Sequence, residues 1–183
     1  MKARKVGGLD PDGSFGEAAA RIAQVRLAEL WSFADEALDP ANGRAQHDMR
    51  IAAKRVRYLL ELSEPCFGAL ARDGAKAARE LQDLLGEIHD CDVFVERIQH
   101  HLHEIRAGDV AAAVAGAPRH ADDLDPRELD GDGAAKYRGL ERAVVYFEAR
   151  RRVIHRRFAE RWWALERRSF RERLEEGLTA TTT

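Results

Sequence analysis

Apolar residues recur along this chain at intervals of about three and four, the spacing that collects them on one face of a helix. No run alternates apolar with polar residues as a half-buried strand does. Glycine gathers at segment ends and proline occurs only 5 times, so little interrupts the periodic runs. The expected fold is all-α, an antiparallel helical bundle of about five to six helices. At 183 residues, 45% of them hydrophobic, the chain can bury one sizeable core. It is read as a single domain over residues 1–183, ordered from residue 14 to residue 177.

Start and stop signals place the segments. Ser14, with Glu17 one turn later, has the pattern of a capping box and opens a helix with apolar positions from Phe15 to Ala34, ended by Asp39-Pro40. A second helix is expected from near Asn42 to Ser63, where Pro65 and Gly68 force a turn. A third runs from Ala69 to Leu85, with Gly86 weakening or bending it, and a fourth from Asp90 toward Gly108. Between Gly108 and Gly133 the chain is rich in Ala and Gly, carries Pro118 and Pro126, and includes the acidic run DDLDPRELDGD. Such composition buries little and predicts a flexible linker or insertion. Helical period returns from Ala134 to Glu166, followed by a short helix from Ser169 to Gly177 and a frayed tail.

A net charge of -2 and a pI near 6.4 argue against a globally basic nucleic-acid binder, yet the charge is polarised. Residues 134–176 carry 13 Lys or Arg against 7 Asp or Glu, whereas residues 108–133 carry 2 against 7. The densest cationic segment is HDMRIAAKRVRY, His47–Tyr58. At ~3.6 residues per turn His47, Arg50, Lys54 and Arg57 fall in one stripe. Met49, Ala52, Ala53, Val56, Leu59 and Leu60 form an adjacent stripe that faces the core, and Tyr58 is expected to join it. Arg55 points away by roughly 100°. On the next helix Arg72, Lys76 and Arg79 repeat the i, i+4, i+7 spacing.

That layout suits a polyanion without bases to read, which needs repeated charge and forked guanidinium donors. A nucleic-acid groove would interleave stacking aromatics with the basic residues, whereas Phe147 and Phe158 sit at core spacing. Nucleic acid is therefore not the expected partner. On the last long helix Arg151 falls inside the apolar stripe, and a charge there must snorkel or face a wet cavity. Arg151, Arg152 and His155 are accordingly added as site candidates, as is His89 in the segment LGEIHD, read as a turn in which Asp90 caps the following helix.

The cysteines, Cys66 and Cys91, form no CxxC pair, and the basic N-terminus is followed by no apolar stretch. Neither a secretory signal nor a membrane anchor is expected, and the protein is read as cytoplasmic. Glu96, His100 and Glu104 share one helix face, but a metal site needs three or four convergent ligands and no second pair with such spacing is present. No metal, no cofactor and no catalytic residue is expected. The doublets His47-Asp48 and His89-Asp90 leave a metal-dependent HD-type phosphohydrolase as an alternative, with His47, His89, Asp90 and a further Asp as ligands. A purely structural helical scaffold is another.

Three segments, HDMRIAAKRVRYLLEL, RELQDLLGEIHDCDVF and FEARRRVIHRRF, together resemble the CHAD family, the conserved histidine α-helical domain, from Ser14 to Gly177. The resemblance implies a helical bundle that binds inorganic polyphosphate on a basic surface, without catalysis, as a targeting or scaffold module that could associate with polyphosphate-rich granules. It places His47 at the family's histidine position and Arg50, Lys54 and Arg57 at its basic positions. Family members usually carry two such repeats in tandem, and this chain shows one repeat of the architecture. A homodimer is therefore expected, with its basic faces turned to a common cavity and Trp31, Trp162 or Trp163 as apolar anchors. The full set of polyphosphate-binding candidates is His47, Arg50, Lys54, Arg55, Arg57, Arg72, Lys76, Arg79, His89, Arg151, Arg152 and His155.

Overall fold

The computed structural model describes residues 2–124 and 133–181. Among the described residues there are seven helices and no strand, so the fold is all-α. The helices are α1 (Phe15–Trp31), α2 (Ala34–Ala37), α3 (Gly43–Leu62), α4 (Glu64–Phe67), α5 (Ala69–Gly116), α6 (Gly133–Glu166) and α7 (Phe170–Ala180). They belong to two compact units, one of Met1–His89 with Arg152–Thr183 and one of Asp90–Arg151, the divisions falling inside α5 and α6.

The helix starts follow the capping signals. The Ser14 N–H donates to Glu17 Oε2 at 2.7 Å and the Glu17 N–H to Ser14 Oγ at 3.2 Å, which completes the capping box. The backbone and hydroxyl donors of Ser14 hold the Glu17 carboxyl below its ordinary pKa. At the start of α3 the Asn42 side chain accepts from the Ala45 N–H at 3.0 Å. The expected single helix to Leu38 is instead α1 and the one-turn α2. Ser32 turns its hydroxyl back onto the Glu29 carbonyl at 2.8 Å, a local bond that competes with helix continuation.

The largest departure is at Gly86. α5 runs for 48 residues without a break, so LGEIHD is helix and not a turn, and Asp90 caps nothing. Glycine costs a helix interior about 1 kcal/mol relative to alanine. Leu81, Leu85 and Ile88, each 1% exposed, gain several times that by burial at about 1.5–3 kcal/mol apiece. Packing on both sides of Gly86 therefore outweighs its propensity. The same helix continues through Gly108 to Gly116, which makes the first part of the expected linker helical. Positions 125–132 of the acidic run lie outside the described residues.

In the first unit α1 and α3 meet through small residues. Ala19, Ala20 and Ala23 of α1 and Ala45, Ala52 and Ala53 of α3 are all buried. α5 approaches closely as well: a Cβ on Gly74 would stand 2.8 Å from Leu60 Cδ1 of α3 and 3.2 Å from Leu174 of α7. The C-terminal part of α6 contributes Ile154, Phe158, Trp162 and Leu165 to this core. Trp162 packs on Trp31 with ring centroids 4.9 Å apart. Trp162 thus belongs to the core and is removed as a surface anchor, Trp31 is half-buried beside it, and Trp163 is 49% exposed. Tyr58, expected in the core, is 50% exposed.

One carboxylate ties the outer layer of this unit. Glu29 is 1% exposed and accepts from Arg26 Nη1 at 2.7 Å, Arg55 Nη1 at 3.2 Å and the Arg4 backbone N–H at 3.1 Å. A buried charge persists only when it is so paired and hydrogen-bonded.

The second unit pairs the C-terminal part of α5 with the N-terminal part of α6. Phe94 stacks on Phe147 at 4.8 Å, Arg151 bonds Asp92 and Arg106 bonds Glu141. α5 positions rise as their α6 partners fall, so the pair is an antiparallel hairpin. Among its described residues only Cys91 and Leu102 are buried.

Candidate polyanion-binding surface

The basic stripe of α3 lies against α5 in the first unit. His47 faces His89, Glu61 binds Arg79, and Leu60 meets Gly74. Partners on α5 descend as α3 ascends, so the two helices run antiparallel and the basic residues of both share one line of approach.

At one end His47 and His89 are half-buried, with ring centroids 5.3 Å apart. Burial, then the Arg50 guanidinium and His89, hold the His47 imidazole below the ordinary histidine pKa, against the opposing pull of Asp48. Arg50 Nε is buried and meets no acceptor among the described residues. A buried donor without a partner carries a desolvation cost of about 1–3 kcal/mol. Lys54 is exposed, and both Lys54 Nζ and the Arg57 guanidinium lie over the Tyr58 ring, at 5.6 and 4.4 Å from its centroid.

At the other end Glu61, Glu64, Arg72, Ala75, Lys76 and Arg79 line a pocket of about 220 Å³. Two of its cations already hold carboxylates: Arg79 Nη2 donates to Glu61 at 2.8 Å and Arg72 Nη1 to Glu64 at 2.9 Å. Arg57 Nε also lies 3.5 Å from Glu61. The bond to Glu61 raises the Arg79 pKa further.

Other candidates lie elsewhere. Arg55 is engaged by the buried Glu29 on the α1 side of α3. Arg151 donates from Nε and Nη2 to Asp92 at 2.5 and 3.3 Å within the second unit. His155 is buried, and its Nε2–H donates to the Ala37 carbonyl at 3.1 Å, so that ring is committed to the core. Arg152 is exposed on α6. The structure therefore brings together His47, Arg50, Lys54, Arg57, Arg72, Lys76, Arg79 and His89, and does not add Arg55, Arg151 or His155 to them.

Two residues of this surface lie outside the set expected from the sequence: Arg44, which has no expected role, and Tyr58, which is expected in the core. Arg44 is exposed one turn before His47, and its i−3 spacing extends the stripe. Tyr58 is the platform under Lys54 and Arg57, a role that apolar periodicity hides. The donor set for a metal is not assembled around the histidine pair: among the described residues no group of three or more His, Cys, Asp or Glu side chains could hold an ion. His100 and His101 approach Glu104 at 3.7 and 3.4 Å on an exposed helix face.

The arrangement offers oxyanions a row of mixed imidazole, guanidinium and ammonium donors. A family model for the CHAD domain matches residues 3–99, more than half of the 183-residue chain. The chain belongs to the CHAD family. The CHAD match takes in α1 to α4 and the part of α5 that carries His89, and so both elements of the basic surface. The segment FEARRRVIHRRF lies outside the matched residues. No curated protein and no solved structure matches this CHAD chain. Among its described residues no helix is long and apolar enough to cross a membrane.

Proposed function

We propose that this protein binds inorganic polyphosphate, without catalysis, along the basic line shared by α3 and α5. The observation that carries the reading is the row His47, Arg50, Lys54 and Arg57 on α3, set against His89, Arg79, Lys76 and Arg72 on α5. CHAD domains are linked to polyphosphate-related proteins. A polyphosphate chain presents one charge after another with no base or sugar, and this surface answers it with repeated cations. Tyr58 carries two of them, Lys54 and Arg57, over its ring. Arg50, half-buried beside His47, adds a guanidinium whose Nε makes no hydrogen bond among the described residues.

The alternative of a metal-dependent phosphohydrolase rests on His47 and His89. Arg50 beside His47 disfavours a divalent cation there, and no third ligand joins the pair among the described residues. The non-catalytic reading is preferred on that donor set. It extends to a cytoplasmic module that brings a client to polyphosphate-rich granules, and to a homodimer in which a second copy supplies the other half of the polyanion groove.

The test is direct titration of long-chain polyphosphate into purified protein at several salt concentrations. Neutralising several phosphates releases counterions, so affinity should fall steeply with salt. The combined change Arg50→Ala, Lys54→Ala and Arg57→Ala should abolish binding with the helical circular dichroism retained. Wild-type affinity in that triple variant at moderate salt would falsify the assignment.

A further inference from the structure

Lys76 stands between two depressions on the first unit. One is the α3/α5 pocket described above; the other is a groove of about 460 Å³ between α5, the end of α6 and α7. The second groove is lined by Lys76, Arg161, Arg168 and Arg173, with Asp73 and Glu80 as its acids. Glu80 is already occupied, since Arg161 Nη2 lies 2.6 Å from its Oε2. Arg161 Nε is buried and meets no acceptor among the described residues. Lys76, Arg168 and Arg173 are exposed and pair with no carboxylate among the described residues. Beneath them Ala77, Leu165 and Leu174 are buried apolar residues. A cationic rim over a low-dielectric floor focuses positive potential in the cleft.

We infer that this groove is a second polyanion subsite, and that a long polyphosphate chain passes from the α3/α5 line over Lys76 toward Arg168 and Arg173. The inference rests on the polyphosphate reading above. The surface beyond Glu80 sets the direction of the path: in the neighbouring groove the acids Glu80, Asp83, Glu87 and Glu160 outnumber Arg157 and Arg161, which makes it the less favourable route for a polyanion. The consequence is selectivity for chain length. A short chain occupies the α3/α5 line alone, whereas a long one engages both sites, and the second contact is intramolecular and gains from high effective concentration.

The experiment compares tripolyphosphate with long-chain polyphosphate on the full chain, wild type and the double variant Arg168→Ala/Arg173→Ala. Both arginines are exposed, and unchanged thermal unfolding will show that the variant folds. Long-chain affinity should fall by about tenfold in the variant, with the salt slope reduced by about two, one for each lost phosphate contact. Tripolyphosphate affinity should not change. If long-chain affinity stays within about twofold of wild type, the second subsite is wrong and the α3/α5 site stands. An equal loss for both probes makes the groove the primary site and overturns the proposed path. If wild-type protein binds neither probe, the polyphosphate reading fails and the subsite with it.

Discussion

The imidazole of His47 on α3 lies 5.3 Å, centroid to centroid, from that of His89 on α5. Burial and the neighbouring Arg50 push the His47 pKa down, so in the unliganded protein its charged form is disfavoured. The sign for stability follows. Above the ordinary histidine value of about 6.5 the ring is neutral in both folded and unfolded chains and contributes nothing. As pH falls through that value the unfolded chain takes up the proton first, and stability is lost until the lower folded pKa is passed.

A bound polyanion reverses the balance by favouring imidazolium. Polyphosphate affinity should therefore rise by about three- to tenfold between pH 7.5 and pH 5.5, with proton uptake on binding. Calorimetry in two buffers of different ionisation enthalpy measures the uptake directly. His47→Gln should flatten the profile, and a wild-type profile that is already flat counts against contact with the histidine.

Glu29 predicts a stability effect remote from the basic line. Glu29→Ala removes the buried carboxylate that Arg26 and Arg55 share and frees the Arg4 N–H, while Arg26 keeps its bond to the Arg4 carbonyl. The buried member is the one removed and both arginines reach solvent, so the cost is that of the lost charge-assisted hydrogen bonds, about 1–3 kcal/mol. Chemical denaturation should show a loss of that order, and the backbone amide of Arg4 should exchange faster with solvent. Loss of less than about 1 kcal/mol would mean that the arginines find other acceptors.

Gly74 sets the approach of α5 to α3 and α7. Gly74→Ala gains about 1 kcal/mol of helix propensity, but the new Cβ would lie 2.8 Å from Leu60 and 3.2 Å from Leu174. Overpacking of this kind costs about 1–3 kcal/mol. The expected result is net destabilisation of about 1 kcal/mol in urea unfolding, and a more stable variant would show that both leucines can give way.

Self-association is tested by sedimentation at micromolar protein with and without polyphosphate. A bridging ligand should tighten the dimer, and linkage requires dimerisation to raise ligand affinity in return. Since Trp162 is core, Trp163 is the exposed tryptophan on which the contact can depend, and Trp163→Ala should weaken the dimer while the fold persists. A monomer that binds the ligand one to one in both conditions leaves a one-sided surface.

Local rules were enough to read most of the helix starts. Ser14 with Glu17, and Asn42, cap where their side chains can reach the first free N–H groups, and that needs only neighbours in sequence. The stripe of His47, Arg50, Lys54 and Arg57 was legible for the same reason, because helical spacing alone puts these side chains in line.

What surrounds each side chain was settled only by tertiary packing. Gly86 stays helical because Leu81, Leu85 and Ile88 are buried around it, a gain that exceeds its propensity cost. Arg55 and His155 have the composition of ligand contacts, yet Glu29 and the Ala37 carbonyl, 26 and 118 residues away in the chain, take their donors. Trp162 and Trp163 are adjacent and chemically identical; the roughly 100° turn between successive helical positions buries one in the core and leaves the other in water. Sequence by itself determined which faces each helix would carry. Which charges would be consumed by partners distant in the chain depended on how those faces met, because an ion pair or a buried donor is a relation between two elements and is written in neither alone.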